Sequence, residues 1–328
     1  MWWANKTSSS YQYASNRPAD RMILLHFISL LVVVFEVAIA DRLNICQDQF
    51  RLREGFYVYN TNCRDFDDAA LAEASFNEDR VLWIRNGTIE SIDRLLNGSF
   101  YNITNLKITN LAAEGSTPIP VFPIEAARFS ILDLTNNGIE RLEIEEEDFR
   151  LTHLDVRKNK LTELGNITLL RKLESLKADG NLIESISFDE MKNLSDLLVL
   201  SLASNRIKSI VASEEISLLK LRSLDISDNQ LTSLDVSLWR FPELGSFYLH
   251  DNAISKVDGL RGKFPKAWDI AMGGRNNWNC DWFDSLLLFL KQDRQFAMQM
   301  FGDEPKCPNE TRMDGFICCQ NSTAQVDK

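Results

Sequence analysis

The chain has 328 residues, 36 basic and 47 acidic, for a formal charge of -11, with 45% hydrophobic and 25% charged residues. This is globular composition, which excludes an unfolded polyanion and a multi-span membrane protein. An excess of acid with no dense Lys/Arg block repels a phosphate backbone, so nucleic acid is not an expected partner.

In chain order, residues 1–21 are polar and precede a second methionine, Met22, a candidate true start. Residues 23–35 then form an apolar run of signal-peptide length, and Ala38-Ile39-Ala40 supplies the small-x-small pattern that a signal peptidase reads. Cleavage is expected after Ala40, giving a mature start at Asp41. The alternative is a retained anchor: the run through Ala40 approaches the length of a spanning helix, but Glu36 and the cleavage pattern oppose it. Next, Cys46 and Cys63 bracket Phe56-Tyr-Val-Tyr59, an alternating strand, and a Cys46–Cys63 bridge would close an N-terminal cap over 41–80.

Six segments then share the pattern Leu-x-Leu-x-x-Asn-x-Leu with apolar swaps, starting at Leu132, Leu154, Leu176, Leu200, Leu224 and Phe247. Weaker copies occur at Leu82-Trp-Ile84, Leu106-Lys-Ile108 and Trp268-Asp-Ile270, for nine units over 81–275. This spacing and consensus are those of a leucine-rich repeat. The expected fold is an α/β solenoid, a leucine-rich repeat horseshoe of about nine coils with a concave parallel sheet and disulfide-bonded caps. In each unit the paired apolar residues point inward from a short strand, and Asn turns the chain while its carboxamide satisfies buried backbone groups. Asn137, Asn159, Asn181, Asn205, Asn229 and Asn252 should stack as a structural ladder. Leu164, Ile186, Ile210, Leu234 and Val257 complete the coil interiors.

Between residues 41 and 328, chance composition predicts about three Asn-x-Ser/Thr sequons. Seven occur, at Asn86, Asn97, Asn102, Asn166, Asn193, Asn309 and Asn321, which points with the cysteines to the secretory lumen. A C-terminal cap and short tail occupy 276–328. Asp281 can start a helix in which Trp282, Leu286 and Phe289 recur at helical spacing. Cys280, Cys307, Cys318 and Cys319 allow three pairings, and a bridge between the adjacent Cys318 and Cys319 would be strained. Either Cys280 and Cys307 each join one of that pair, or one bridge forms and two thiols remain to cross-link chains.

The signal segment, the N-terminal cysteine pair, the repeats, Asn-Asn-Trp-Asn-Cys-Asp-Trp at 276–282 and Cys318-Cys319 together resemble the mosquito leucine-rich repeat immune protein family. The likeness covers nearly all of 41–328. Where the family cap commonly has a second cysteine, Trp282 stands, so the family's pairing does not transfer. Longer members continue into a coiled coil that mediates pairing and complement engagement. This sequence has no heptads after Cys319 and is similar to the coil-less subgroup. The resemblance implies a secreted haemolymph factor that binds complement-like thioester proteins, other leucine-rich repeat immune proteins or pathogen surfaces. The alternative is a membrane-anchored adhesion or receptor-like ectodomain held by residues 23–40.

Strand alternation places three columns on the concave sheet. They read Ile131, Asp133, Thr135; His153, Asp155, Arg157; Ser175, Lys177, Asp179; Val199, Ser201, Ala203; Ser223, Asp225, Ser227; and Ser246, Tyr248, His250. This polar surface of mixed sign suits a protein better than a lipid. The expected partner-binding residues are Asp133, His153, Asp155, Arg157, Lys177, Asp179, Asp225, Tyr248 and His250. No sequon falls within these columns from 131 to 250; Asn86, beside the first weak repeat, is the nearest exception. Catalysis, a metal and a cofactor are not expected: His26 lies in the signal segment, His153 and His250 lie four coils apart, and an open sheet lacks a water-excluding pocket.

Overall fold

The structure, a computed structural model, describes residues 56–63, 81–89, 104–110, 120–124, 129–147, 150–292, 311–314 and 317–320. The signal segment, Cys46, Cys307, Asn97, Asn102, Asn309 and Asn321 lie outside the described residues.

Ten parallel strands form one sheet: β1 (Phe56–Cys63), β2 (Val81–Ile89), β3 (Asn105–Thr109), β4 (Ile131–Asp133), β5 (His153–Asp155), β6 (Ser175–Lys177), β7 (Val199–Ser201), β8 (Ser223–Asp225), β9 (Ser246–Tyr248) and β10 (Asp269–Ala271). Their order in the sheet is their order in the chain, so each coil pairs only with its neighbours. About seven complete turns separate β3 from β10. Leu106, Leu132, Leu154, Leu176, Leu200, Leu224, Phe247 and Ile270 align in one row across the sheet. All eight are buried, as are Leu164, Ile186, Ile210, Leu234 and Val257 on the far side of the coils.

The core between the sheet and the outer arc thickens toward the C-terminal half with aromatic rings. Phe188 meets Trp239 edge-on at 4.7 Å, Trp239 stacks on Phe241 at 5.3 Å, and Phe264 closes the group against Phe247 at 5.7 Å. Such pairs add to the apolar area that each ring removes from water.

Each tight turn after a sheet strand needs one left-handed residue. Asn136, Lys158, Gly180, Ser204, Asp228 and Asp251 take it, with φ between 49° and 67°. The next residue is the ladder asparagine. Asn159 shows the geometry: its Nδ2 donates to Val156 O at 2.9 Å in its own coil and to Leu134 O at 2.9 Å in the preceding one. Its Oδ1 accepts the Asn137 and Ile139 amides, both at 3.0 Å. Asn137, Asn181, Asn205, Asn229 and Asn252 repeat the two donations, and all are buried.

The last coil corrects the register read from Trp268-Asp-Ile270. Ile270 and Met272 point inward, while Trp268 is 56% exposed. One extra residue follows, so the left-handed residue is Gly274 and the seventh rung is Asn276, which bonds Leu249 O at 2.9 Å.

The C-terminal cap begins with β11 (Trp278–Asn279), runs into α1 (Cys280–Gln292), and returns as β12 (Thr311–Asp314) and β13 (Ile317–Gln320) in a three-stranded sheet. Asn279 Oδ1 accepts the Trp282 amide at 2.9 Å, so Asn279, and not Asp281, caps the helix; Asp281 sits in its first turn. Among the described side chains of α1, Cys280, Phe283 and Leu286 are buried, and Trp282 stacks on Trp278 at 5.2 Å; the side chain of Phe289 lies outside the described residues. Cys280 and Cys319 form a disulfide with Cα atoms 5.0 Å apart, and Cys318 is disulfide-bonded as well, which removes the reading with leftover thiols.

Candidate protein-binding surface

The three concave columns stand as rows beside the buried leucines, partly or fully exposed except at Ser227 and in the last strand, where Asp269 and Ala271 are buried. Ile131, His153, Ser175, Val199, Ser223, Ser246 and Asp269 form one row; Asp133, Asp155, Lys177, Ser201, Asp225, Tyr248 and Ala271 form the next. In a parallel sheet, neighbours along a row lie about 4.8 Å apart.

Charges in the N-terminal half are organised by short contacts. Asp133 accepts the Thr135 hydroxyl at 2.6 Å, and that hydroxyl lies 3.2 Å from Asp155 Oδ1. Arg157 clamps Asp155 two residues away, Nε at 2.8 Å from Oδ1 and Nη2 at 2.6 Å from Oδ2. Asp155 holds the guanidinium above its ordinary pKa, chiefly through this bond, against the opposing effect of burial. On the adjoining coils Asp179 accepts the Ser201 hydroxyl and the Ala203 amide. Lys177 sits between Asp155 and Ser201 in its row and makes no ion pair among the described residues. His153 is exposed and bonds Thr152 Oγ1 at 2.9 Å. His153, Asp155, Arg157, Lys177 and Asp179 are therefore brought together on two adjacent strands and the turns that leave them.

Toward the C-terminus, Asp225 accepts the Ser227 hydroxyl at 2.6 Å, and the Tyr248 hydroxyl donates to Asp269 Oδ2 at 2.6 Å. That bond, with burial, raises the Tyr248 phenol above its ordinary value. His250 is engaged at the sheet edge by Asp251 at 2.9 Å. Trp268 and Asp269 join this end of the face, residues that the shifted register of the last unit hid. The signal that locates them is the apolar pair Ile270 and Met272 followed, one residue late, by Asn276.

Of the glycosylation candidates, Asn166 and Asn193 are exposed and lie on the arcs behind the sheet, beside short 3-10 turns at Ile167–Leu169 and Phe188–Met191. Asn86 lies within β2. Among the described residues, no group of three or more His, Cys, Asp or Glu side chains is placed to hold a metal, and no helix is long and apolar enough to cross a membrane.

Residues 197–254 match the family described as leucine rich repeat. The leucine-rich repeat domain of APL1B superposes with a TM-score of 0.59 at 16% identity, covering 81% of this chain and 73% of that one. The fold is a leucine-rich repeat solenoid. A second similar structure is the LRIM1/APL1C complex, with a TM-score of 0.57 at 14% identity over 81% of this chain and 50% of that one. At these identities the likeness establishes the fold alone. Leucine-rich repeat-containing protein 23 of Bos taurus is 31% identical over 167 residues, 40% of this chain, and the match spans about half (47%) of that relative's length.

Proposed function

We propose that this chain is a secreted glycoprotein that captures another protein on its concave sheet and acts as an innate immune factor of haemolymph. The observation that carries this reading is the contiguous patch of His153, Asp155, Arg157, Lys177 and Asp179 on a sheet face whose columns hold no glycan acceptor. Two further facts support it. The cap cysteines are oxidised, as in a secretory protein, and the solenoid is of the kind found in the LRIM1/APL1C complex. The motifs at 276–282 and 318–319 make complement-like thioester proteins or other leucine-rich repeat immune proteins the partner class to look for.

The test is affinity capture from haemolymph with the tagged chain, followed by the same capture with Arg157→Glu and Lys177→Glu combined. The reversed patch should leave secretion intact and reduce the captured partner. Unchanged capture would remove the patch from the reading, and N-terminal sequencing that finds residues 23–40 retained would replace secretion with anchoring.

A further inference from the structure

We infer that the C-terminal end of the concave sheet is a receptor for an arginine side chain of the captured protein, seated on Tyr248 between Asp225 and Asp269. This rests on the concave sheet being the capture face. Asp225 and Tyr248 are direct neighbours across β8 and β9, about 4.8 Å apart in backbone spacing, and Asp269 lies on the other side, bonded to the Tyr248 hydroxyl at 2.6 Å. The aromatic ring is thus flanked by two carboxylates.

Two observations point to a cationic occupant. From Val199 onward the three columns carry Asp225 and Asp269 and neither lysine nor arginine, whereas further back Asp155 already has Arg157. In addition, Asp269 is 95% buried, and its Oδ1 has no hydrogen-bond partner. A buried carboxylate with an unpaired oxygen and, among the described residues, no cation beside it leaves negative charge behind the Tyr248 ring, which favours a cation in front of it. The Oδ2 atom is already taken by Tyr248, so both oxygens of this carboxylate lie behind the phenol, one bonded to it and one unpaired and enclosed. Asp225 likewise commits only Oδ1, to the Ser227 amide at 2.9 Å and hydroxyl at 2.6 Å.

Trp268 supplies the edge of this receptor. Its indole is 56% exposed and lies across Gly245, where an added Cβ would stand 2.8 Å from Nε1. Gly245 is therefore the residue that lets an aromatic side chain lie there. Arginine fits better than lysine because a planar guanidinium stacks on aromatic faces while its fork of donors reaches Asp225, with the Asp269 charge behind the ring. The nearby Arg275 does not occupy the place, since it pairs with Asp228 and approaches Asp251 at the sheet edge.

The experiment is an NMR titration of the 15N-labelled full chain, following the Trp268 indole signal, assigned by its loss in Trp268→Phe. The probes are acetyl-Gly-Gly-Arg-Gly-Gly-amide and the same peptide with the neutral isostere citrulline, at millimolar concentration. The arginine peptide should shift the signal saturably and the citrulline peptide at least tenfold more weakly. Asp225→Asn should weaken the arginine response at least fivefold with an unchanged melting temperature, and Glu184→Gln, on the outer side of the coils, should not alter it. No saturable shift, an equal citrulline response, or an unaltered response in Asp225→Asn overturns the inference. Capture by the Lys177 patch is measured separately, so a failed titration with intact capture overturns the arginine receptor and leaves the proposed function standing.

Discussion

Arg157 closes on Asp155 in a two-point clamp, Nε to Oδ1 at 2.8 Å and Nη2 to Oδ2 at 2.6 Å, within the turn that leaves a single strand. The pair is largely self-neutralising, whereas Lys177 on the next strand has no acid bound to it among the described residues. The two cations should therefore contribute differently to capture. Lys177→Glu alone should lower capture about tenfold, mostly through association rate and with strong salt dependence. Arg157→Gln, which breaks a satisfied pair, should change it by about twofold or less. Comparing captured partner at low and high salt for the two single variants checks this.

The asparagine ladder predicts a large loss from a small change. Asn205 donates to Ala178 O and Leu202 O, both at 3.0 Å, and accepts the Ile183 amide at 3.2 Å. Asn205→Ala strands these buried groups and should cost about 3 kcal/mol in urea unfolding. Asn193→Gln, on the exposed arc, should stay within about 0.5 kcal/mol and serves as the reference.

The coil interiors were legible because strand alternation is strict. Once Leu132 and Leu134 are inward, Asp133 must face out, and the same holds through Phe247 and Leu249. Legibility fails where another force interrupts the period. In the last coil an apolar Trp268 mimics an inward residue, and the extra residue before Asn276 moves the rung. The left-handed turn has no residue signature because Asn, Lys, Gly, Ser and Asp all occupy it, held there by the ladder bonds on either side. The pairing of Asp155 with Arg157 and of Tyr248 with Asp269 depends on rotamers, which no spacing encodes. Asn279 and Asp281 are both competent to cap α1, and Asn279, three residues before Trp282, is the one whose carboxamide reaches the Trp282 amide.

The disulfide between Cys280 and Cys319 ties the start of α1 to β13 across 39 residues. Closing a loop of that length restricts the unfolded chain by about 4 kcal/mol in the chain-entropy treatment. Cys280→Ser with Cys319→Ser should therefore lower stability by that order. It should also open the C-terminal cap around α1 and β13 to protease before the repeats unfold, since the ladder and core do not depend on the bridge. Limited proteolysis with mass mapping, beside calorimetry, distinguishes local from global loss.

Acid should weaken the solenoid from its flank. Asp196 lies between Lys220 at 2.7 Å and Lys172 at 3.1 Å, joining three successive coils, and those bonds, Lys220 first, hold its carboxyl below the ordinary value. Asp251 is also lowered: burial pushes it up, but His250 and the Arg275 amide outweigh that. For a depressed carboxyl, the stabilisation is present above the unfolded pKa of about 4 and is lost as pH falls through the folded value. Melting temperature should fall below about pH 4, and Asp196→Asn should make the fall shallower. At neutral pH the variant should lose only a few tenths of a kcal/mol, because the lysines are exposed to solvent.

Glycans at Asn166 and Asn193 should decorate the outer arcs and leave the face from β4 to β9 bare. Asn166 is exposed, and its Nδ2 donates to Ile144 O at 3.0 Å. N-glycosylation replaces one amide hydrogen and leaves the other, so the bond to Ile144 survives modification. Asn193 is exposed next to the 3-10 turn Phe188–Met191, on the side opposite the row that holds Lys177. Peptide mapping of the secreted protein before and after glycosidase treatment should find sugar at both positions. Because neither acceptor lies in the concave columns, Asn166→Gln with Asn193→Gln should leave capture per secreted molecule unchanged. Reduced capture at equal secretion would instead place the partner on the outer arc.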